Sequence, residues 1–515
     1  MASRRIRLIG PLIVAALFGS AGVARAGDWT ITPSLGDQEE FTDNVLFTPD
    51  HTRSDLLTTI SPGIAITGTS PALQGTLNYS PTIYRYALTP SQNTTAQSLY
   101  ANETATVIPE TLFFDTRAYA SLLPTTPGLS TGAPGPSLAT PNGFSGTTGQ
   151  VVPANELSQT VSLNASPYVV HRFDGFGTAE LRYTLSDTVI SSPQVTPLAP
   201  AGFTTLGSRQ LTNEGTASFL TGDDFGPLVT RLTLDGARSS GSGADNSARQ
   251  FLAIADSAYR ITPRIALLTT LGHETIDYNG FPPTHIDDLV WGTGLQLKPA
   301  DATVIDLSYG HRNGVTAPNA SVIYTLSGTT TLSATYSEGL STTAQDIANN
   351  LAVSDINQEG QVVDTRTLLP LVIANPALGL QSGLFRSRQF AGTADISLER
   401  NHFTATINES ESILVAQSVQ GVGASQNSTN ATLGWAREVG PRTTANVSAG
   451  YTMTSAPSEG AFGQEGLLTV GDSISYMFSA SVSGWAGCNR YERSSPDPAL
   501  RLSADSVFAG LRKSF

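Results

Sequence analysis

Val229-Thr230-Arg231-Leu232-Thr233-Leu234-Asp235-Gly236-Ala237 reads in twos, with Leu232 and Leu234 on one side and Arg231, Thr233 and Asp235 on the other. Successive side chains of an extended chain point to opposite faces, so this is a strand with one apolar and one polar face. Ala445, Val447, Ala449, Tyr451 and Met453 alternate with Asn446, Ser448, Gly450 and Thr452 in the same way. About twenty such runs follow one another, with no helix-period segment between them. A soluble sandwich needs only about seven to nine strands. A chain with many more, each roughly 10–16 residues long, reads as all-β and as a closed antiparallel transmembrane barrel. The expected strand number is about 22, within a range of about 18–22. The first run, around Gln38 to Phe47, and the pair around Met477 to Arg493 are the least regular.

Composition agrees. Hydrophobic residues make up 39% of the chain and mean hydropathy is −0.04, which excludes a bundle of membrane helices. A barrel shows lipid only every second residue, so its membrane character is hidden in such averages. Charged residues are only 14%, against about a quarter in soluble proteins, and Ser and Thr fill the polar faces instead. The 48 glycines and 30 prolines supply turns. A net charge of −14 argues against nucleic acid as a partner.

The N-terminus carries Arg4, Arg5 and Arg7, an apolar stretch from Leu8 to Phe18, and Ala24-Arg25-Ala26. That is the layout of a secretory leader with cleavage expected after Ala26. The apolar stretch is too short for a membrane-spanning helix. Losing four arginines and no acid makes the mature chain four units more acidic. The expected organisation is a signal peptide at 1–26, a periplasmic segment at 27–37 and a barrel at 38–515, in the outer membrane of a Gram-negative cell. Cys488 stands alone, so no intramolecular disulfide forms and a passive strand position is expected.

Tight turns are expected at Gly68–Pro71, Pro109-Glu110, Gly222–Phe225, Thr262-Pro263, Pro299–Asp301, Arg400-Asn401 and Gly440-Pro441. They interleave with longer joins at Leu123–Pro153, Ser191–Gly207, Ser239–Asn246, Ser341–Leu384 and Ala456–Glu465. Short turns on one side and long loops on the other are the periplasmic and extracellular ends of an outer-membrane barrel. Only about ten residues precede the first expected strand, too few for a globular plug of the kind that fills some large barrels. Anything blocking the lumen is then a loop, and Leu123–Pro153 and Ser341–Leu384 are long enough. The apolar stretch Leu368–Ile373 within the latter is expected to pack against the wall, another loop or a partner.

The last strand runs to Phe515 and places Val507, Ala509, Leu511 and Phe515 on one face. This resembles the C-terminal signal of the bacterial barrel assembly machinery, with Phe515 and Leu511 its carriers. Lys513 departs from the usual apolar residue two before the end, and can snorkel at the membrane rim.

A family resemblance rests on Trp29–Ser34, Glu40–Val45, Asp55–Ile64 and Gly75–Pro81. These stretches, with the terminal strand, resemble the beta-barrel porin 2 family and, more narrowly, outer-membrane proteins associated with PEP-CTERM (exosortase) and exopolysaccharide systems. The resemblance implies an outer-membrane barrel with a part in exporting polysaccharide. Within the matching region, Asp43-Asn44 is a turn-prone pair with a local role expected. Ser61-Pro62-Gly63 is expected to bend the second strand.

Alternation assigns Glu180, Arg182, Glu214, Arg231, Asp235, Asp256, Arg260, Asp306, Arg312, Asp395 and Glu399 to the lumen. Mixed signs suit neutral sugars or weakly charged glycans better than a strongly selective ion filter. Equally, these charges would pair with one another inside a loop-filled interior. His273 and His311 lie late in strands rising toward the long-loop side, beside Glu274 and Arg312. No nucleophile motif, metal pair or paired carboxylates accompany them, so no enzymatic activity, metal or cofactor is expected. Three readings stand: a conduit or accessory pore for exopolysaccharide, a general or sugar-selective diffusion porin, and a structural or adhesive barrel binding a partner through its loops. The expected partners are outer-membrane lipid, the assembly machinery and, for the first reading, polysaccharide or components of its export system.

Overall fold

The computed structural model describes residues 27–124, 157–191, 207–243, 247–300, 302–357, 362–365, 371–374, 380–417, 425–455 and 464–515. The leader, with its cleavage point at Ala26, and most of Leu123–Pro153 lie outside these residues.

The chain is a closed antiparallel barrel of 22 strands. Its first strands are β1 (Asp28–Thr42) and β2 (Asp55–Thr69). β3 comes in two pieces, Leu73–Tyr79 and Thr82–Tyr86, and so does β4, Thr94–Ala96 and Leu99–Ile108. Then follow β5 (Leu112–Pro124), β6 (Leu157–Arg172), β7 (Gly177–Ile190), β8 (Ser208–Thr221), β9 (Leu228–Gly243) and β10 (Ala248–Thr262). The next five are β11 (Ile265–Tyr278), β12 (Thr284–Ala300), β13 (Thr303–Arg312), β14 (Val315–Ser327) and β15 (Thr330–Ser341). After a helix, α1 (Thr343–Ala352), come β16 (Leu384–Leu398), β17 (Asn401–Ala416), β18 (Gln426–Gly440) and β19 (Thr443–Ser455). β20 (Glu465–Ser479), β21 (Val482–Ser494) and β22 (Leu502–Ser514) complete the ring. Each strand pairs with its sequence neighbours, and β22 pairs with β1 from Ser34↔Ser514 to Thr42↔Ser506. Closure leaves no free edge, so every ladder donor and acceptor is met within the sheet, as hydrocarbon demands.

Two sequence expectations need correction. The first strand begins at Asp28, ten residues before Gln38, so the stretch read as a periplasmic segment at 27–37 is almost wholly wall. Ser34, Leu35 and Gly36 were too short a polar–apolar signal to register, but β2 and β22 flank them and fix them as strand. Nor does Ser61-Pro62-Gly63 interrupt β2, which pairs with β1 in unbroken register through Pro62. The break falls instead in the neighbour. Pro62 has no N–H to give, and there β3 splits at Ser80-Pro81 into its two pieces.

The two ends of the barrel differ as expected, with one exception. β13 and β14 join through the two-residue turn Asn313-Gly314 on the long-loop side, both residues at positive φ (55° and 68°). Asn-Gly is the strongest short signal for such a hairpin. The expected Ser239–Asn246 loop is also shorter, because β9 runs on to Gly243. The pair near Met477–Arg493, irregular in sequence, is the hairpin β20–β21.

Large apolar side chains such as Leu181, Leu232, Leu234, Leu271, Leu295 and Leu433 point outward and are exposed, as lipid contacts require. Tyr259, Trp291 and Tyr324 share that face. Tyr86 and Tyr278 are buried on the inner side. Val507, Leu511 and Phe515 are outward too. The Phe515 amide donates to Pro33 O (2.9 Å), and Lys513 Nζ lies 4.9 Å over the Phe515 ring. Lys513 thus serves the terminal aromatic instead of spoiling its face.

Candidate functional site

The interior is not one cavity of uniform access. Inward side chains near the extracellular ends are buried, among them Ser239, Ala248, Tyr278, Ser410, Gln426 and Ser428. Inward Arg231 and Arg260, near the periplasmic ends, are exposed. Three apolar clusters account for the difference. Leu157 packs with Leu467, Tyr491 and Ala504, and Phe47 from the β1–β2 loop meets Tyr491 edge-on at 5.3 Å. Ala248, Tyr278, Leu384 and Ala416 form the second. The third holds α1.

α1 escaped the alternation reading, yet its signals are in the sequence. Thr342 caps the first turn: its Oγ1 accepts from Gln345 N (3.2 Å) while Gln345 Oε1 accepts from Thr342 N (3.0 Å). Thr-x-x-Gln is the capping-box spacing. Ala344, Ile347 and Leu351, spaced three and four apart, form the buried face. Ile347 and Leu351 pack against Tyr100, Tyr119, Leu123 and Ile190 on the inner wall of β4, β5 and β7, together with Ile373 and Leu380 of the same loop. Ile373 thus packs as its apolar stretch suggests, whereas Val372 is exposed and Leu368–Pro370 lie outside the described residues.

Polar contacts fix the docking. Asn164 Nδ2 donates to Ala348 O (2.9 Å), and Arg117 Nε to Ser354 O (3.2 Å). Asn102 Nδ2 donates to Asp355 Oδ1 (2.8 Å), and Tyr100 OH and Ser354 Oγ share a hydrogen bond of 3.1 Å. Asn102 and Arg117 face each other midway along β4 and β5, so the loop reaches deep into the lumen. β15, where the loop begins, lies far round the ring from β5 and β6. A circular ring of 22 strands would be on the order of 40 Å across. Thr342 to Ile347 spans at most about 18 Å, so the barrel is pinched at this level. Asp346, in the first turn of α1, is half-buried. Burial pushes its pKa up to about 6, partly offset by a hydrogen bond from Ser341.

Around and below the docked loop the wall is rich in hydroxyls. Ser162 pairs with Thr188 (2.8 Å), Ser166 with Thr184 (3.0 Å) and Thr212 with Ser239 (2.8 Å). Charges sit lower, some in ion pairs and some held by hydroxyls. Arg182 reaches Glu180 (2.8 Å) and Asp115 (3.0 Å) and lies 3.8 Å over the Tyr168 ring. Thr216 Oγ1 donates to Asp235 Oδ2 (2.8 Å) and lies 3.4 Å from Glu214 Oε1. Arg231 stands opposite Asp256, whose Oδ1 accepts from Thr270 (2.6 Å).

Asp306 faces Gln296 and Ser321 across the inner ladders. Asp395 pairs with His402 (3.2 Å). The remaining candidates lie at the margins. Arg260 is at the periplasmic end of β10, 3.4 Å from Gly226 O. Arg312 is the last residue of β13, beside the extracellular turn. Glu399 is no wall residue: it sits in the β16–β17 turn at φ 46°, where alternation ceases to apply. Sequence reading missed Asp115, Arg117, Asn102 and Asn164, whose significance depends on what docks against them. His273 and His311 do not meet at a shared rim site. His273 pairs with Asp287 (3.0 Å), His311 approaches Asp288 (3.4 Å), and buried Glu274 accepts from Gly314 N (3.2 Å). Asn44 has the local role expected: its Nδ2 donates to Thr48 O (2.8 Å) and Ser503 O (3.0 Å), tying the β1–β2 loop to β22.

No family model and no curated protein matches the chain. Among solved structures, it is similar to the FrpB iron transporter from Neisseria meningitidis. For the F5-1 variant apoprotein the TM-score is 0.52 at 10% identity, covering 97% of this chain and 82% of that one. For the F3-3 variant the values are 0.51, 10%, 97% and 83%. The siderophore receptor PirA from Acinetobacter baumannii gives 0.46 at 10% identity, with 94% and 80% covered. At this identity the FrpB likeness is one of fold: an outer-membrane β-barrel.

Proposed function

We propose that the chain is a gated outer-membrane channel for hydroxyl-rich solutes, a conduit or accessory pore for exported glycan, in which the Thr342–Gly383 loop is the gate. The observation that carries this reading is the docking of α1 and Ser354-Asp355 against the inner wall of β4–β7, beneath a mouth packed with apolar side chains. The hydroxyl pairs of the wall offer donors and acceptors to sugar hydroxyls, and charges of both signs line it, with Arg182 paired to Asp115 and Glu180. The resemblance of the N-terminal strands to exopolysaccharide-associated proteins points the same way.

The test is single-channel recording in planar bilayers, comparing the full chain with a variant in which 343–382 is replaced by a short Gly/Ser linker. The full chain is expected to be closed for most of the record and the shortened chain to conduct steadily, with neutral oligosaccharides blocking the current. Equal conductance of two correctly assembled proteins overturns the gate. A steady conductance already present in the full chain supports the diffusion-porin reading in its place.

A further inference from the structure

On the outer face of β9 and β10, Arg238 and Arg249 stand directly opposite each other in the ladder. Both are exposed, on the same side as Leu232, Leu234 and Phe251, which face lipid. Like charges in directly opposed positions of an antiparallel pair repel. One carboxylate stands beside the two guanidinium groups, which leaves positive charge in excess. Asn213 flanks Arg238 from β8, and its Oδ1 already accepts from Tyr183 OH (2.6 Å). Asp277 faces Arg249 from β11, and it is held by His285 Nδ1 at 2.6 Å.

Other outward arginines toward the extracellular side carry a carboxylate of their own. Arg209 has Asp187 (2.7 Å), Arg386 has Glu338, Arg388 has Glu411 (2.8 Å) and Arg490 has Asp505 (3.2 Å). Among the described residues, Arg238 and Arg249 make no ion pair. Their height is also informative. Arg238 lies ten residues above Leu228, or ~25 Å at ~3.3 Å per residue and ~40° tilt, which is the full thickness of the apolar band. They therefore sit at the level of the outer-leaflet headgroups.

We infer that Arg238 and Arg249 form a binding site for a phosphate ester, carried by the glycolipid of the outer leaflet. A phosphate between two guanidinium forks accepts several charge-assisted hydrogen bonds and turns their repulsion into attraction. The acyl chains below it lie against Leu234 and Phe251.

The experiment measures binding of bisphosphorylated lipid A, its dephosphorylated form and inorganic phosphate to the full chain in zwitterionic detergent. The proteins compared are wild type, R238Q/R249Q, R238K/R249K and, as a paired-arginine control, R209Q. Correct assembly of each is checked by its mobility shift on boiling. Wild type is expected to bind the bisphosphorylated lipid roughly tenfold to thirtyfold more tightly than R238Q/R249Q. R238K/R249K falls between them and R209Q matches wild type, while the dephosphorylated lipid does not discriminate. Equal binding of the bisphosphorylated lipid to wild type and R238Q/R249Q overturns the site. Competition by inorganic phosphate with the potency of the lipid assigns it to the free anion and overturns the lipid assignment.

Discussion

Asp346 shows how one side chain couples a loop to the medium. Its carboxyl is held near 6, well above the usual 3.8, because the packed loop partly removes it from water. The docked state therefore binds a proton that the undocked state releases. Between about 6 and 4, acidification favours docking, and above about 6 the charged carboxylate opposes it. The expected outcome is a channel more closed at pH 5 than at pH 8, and an Asp346→Asn chain closed at both. Recording the open fraction across that range decides it: an unchanged pH response in the Asn variant removes Asp346 from the gate. Phe515 illustrates a different role. Its backbone donates to Pro33 O, its ring carries Lys513, and its side chain is exposed to lipid, so little of the fold rests on it. Deleting it is expected to lower outer-membrane abundance severalfold while assembled molecules keep their heat stability. Normal abundance on membrane fractionation would remove it from the assembly signal.

α1 is the element the sequence concealed. In a chain full of Ser and Thr, Thr342-x-x-Gln345 is an inconspicuous capping box, and ten helical residues are lost among strands of period two. The wall itself was legible wherever a long strand alternates, as in Val229–Ala237. Reading failed where local pattern is weak and neighbours decide: at the start of β1, at Pro62, and at Glu399 just past a strand's end. Pore candidates were legible as a face but not as a site. Alternation picks out Arg182, whereas its partner Asp115 becomes recognisable only once β5 and β7 are brought together across β6. Burial of Ile347 and Leu351 gives the docking most of its strength. Ile347→Ala and Leu351→Ala are each expected to weaken it by about 2–5 kcal/mol, as in other large-to-small core changes. Limited proteolysis within 343–382 reports the loss, and the barrel is expected to withstand the same protease. Protection unchanged in both variants would mean that the loop is held by its polar contacts instead.

At the scale of the molecule, stability lies in a closed ladder whose hydrogen bonds are shielded from water by lipid. The assembled protein is expected to resist SDS until boiled, migrating faster before heating than after, with a β-type circular dichroism spectrum lost only on boiling. Migration that does not change on heating would contradict a closed barrel. Fold class and strand number were readable because they depend on the sum of many runs, and no single misjudged boundary alters that sum. The pinched cross-section was not readable, since it depends on apolar residues distant in sequence, Leu157 with Leu467 or Ala248 with Leu384, finding one another at the mouth.

The seam has a consequence for biogenesis. Ser34 lies alongside Ser514, so the first wall strand waits for the last wall strand before it has a neighbour on that side. Pairing at such separation is slow, because the entropy of closing the whole loop is lost before any contact rewards it. Meanwhile β1 and β22 each present an unsatisfied edge, the template on which strands of other chains aggregate. β22 must therefore be made and exported before closure can begin, and for that interval both edges stand open to pairing with strangers.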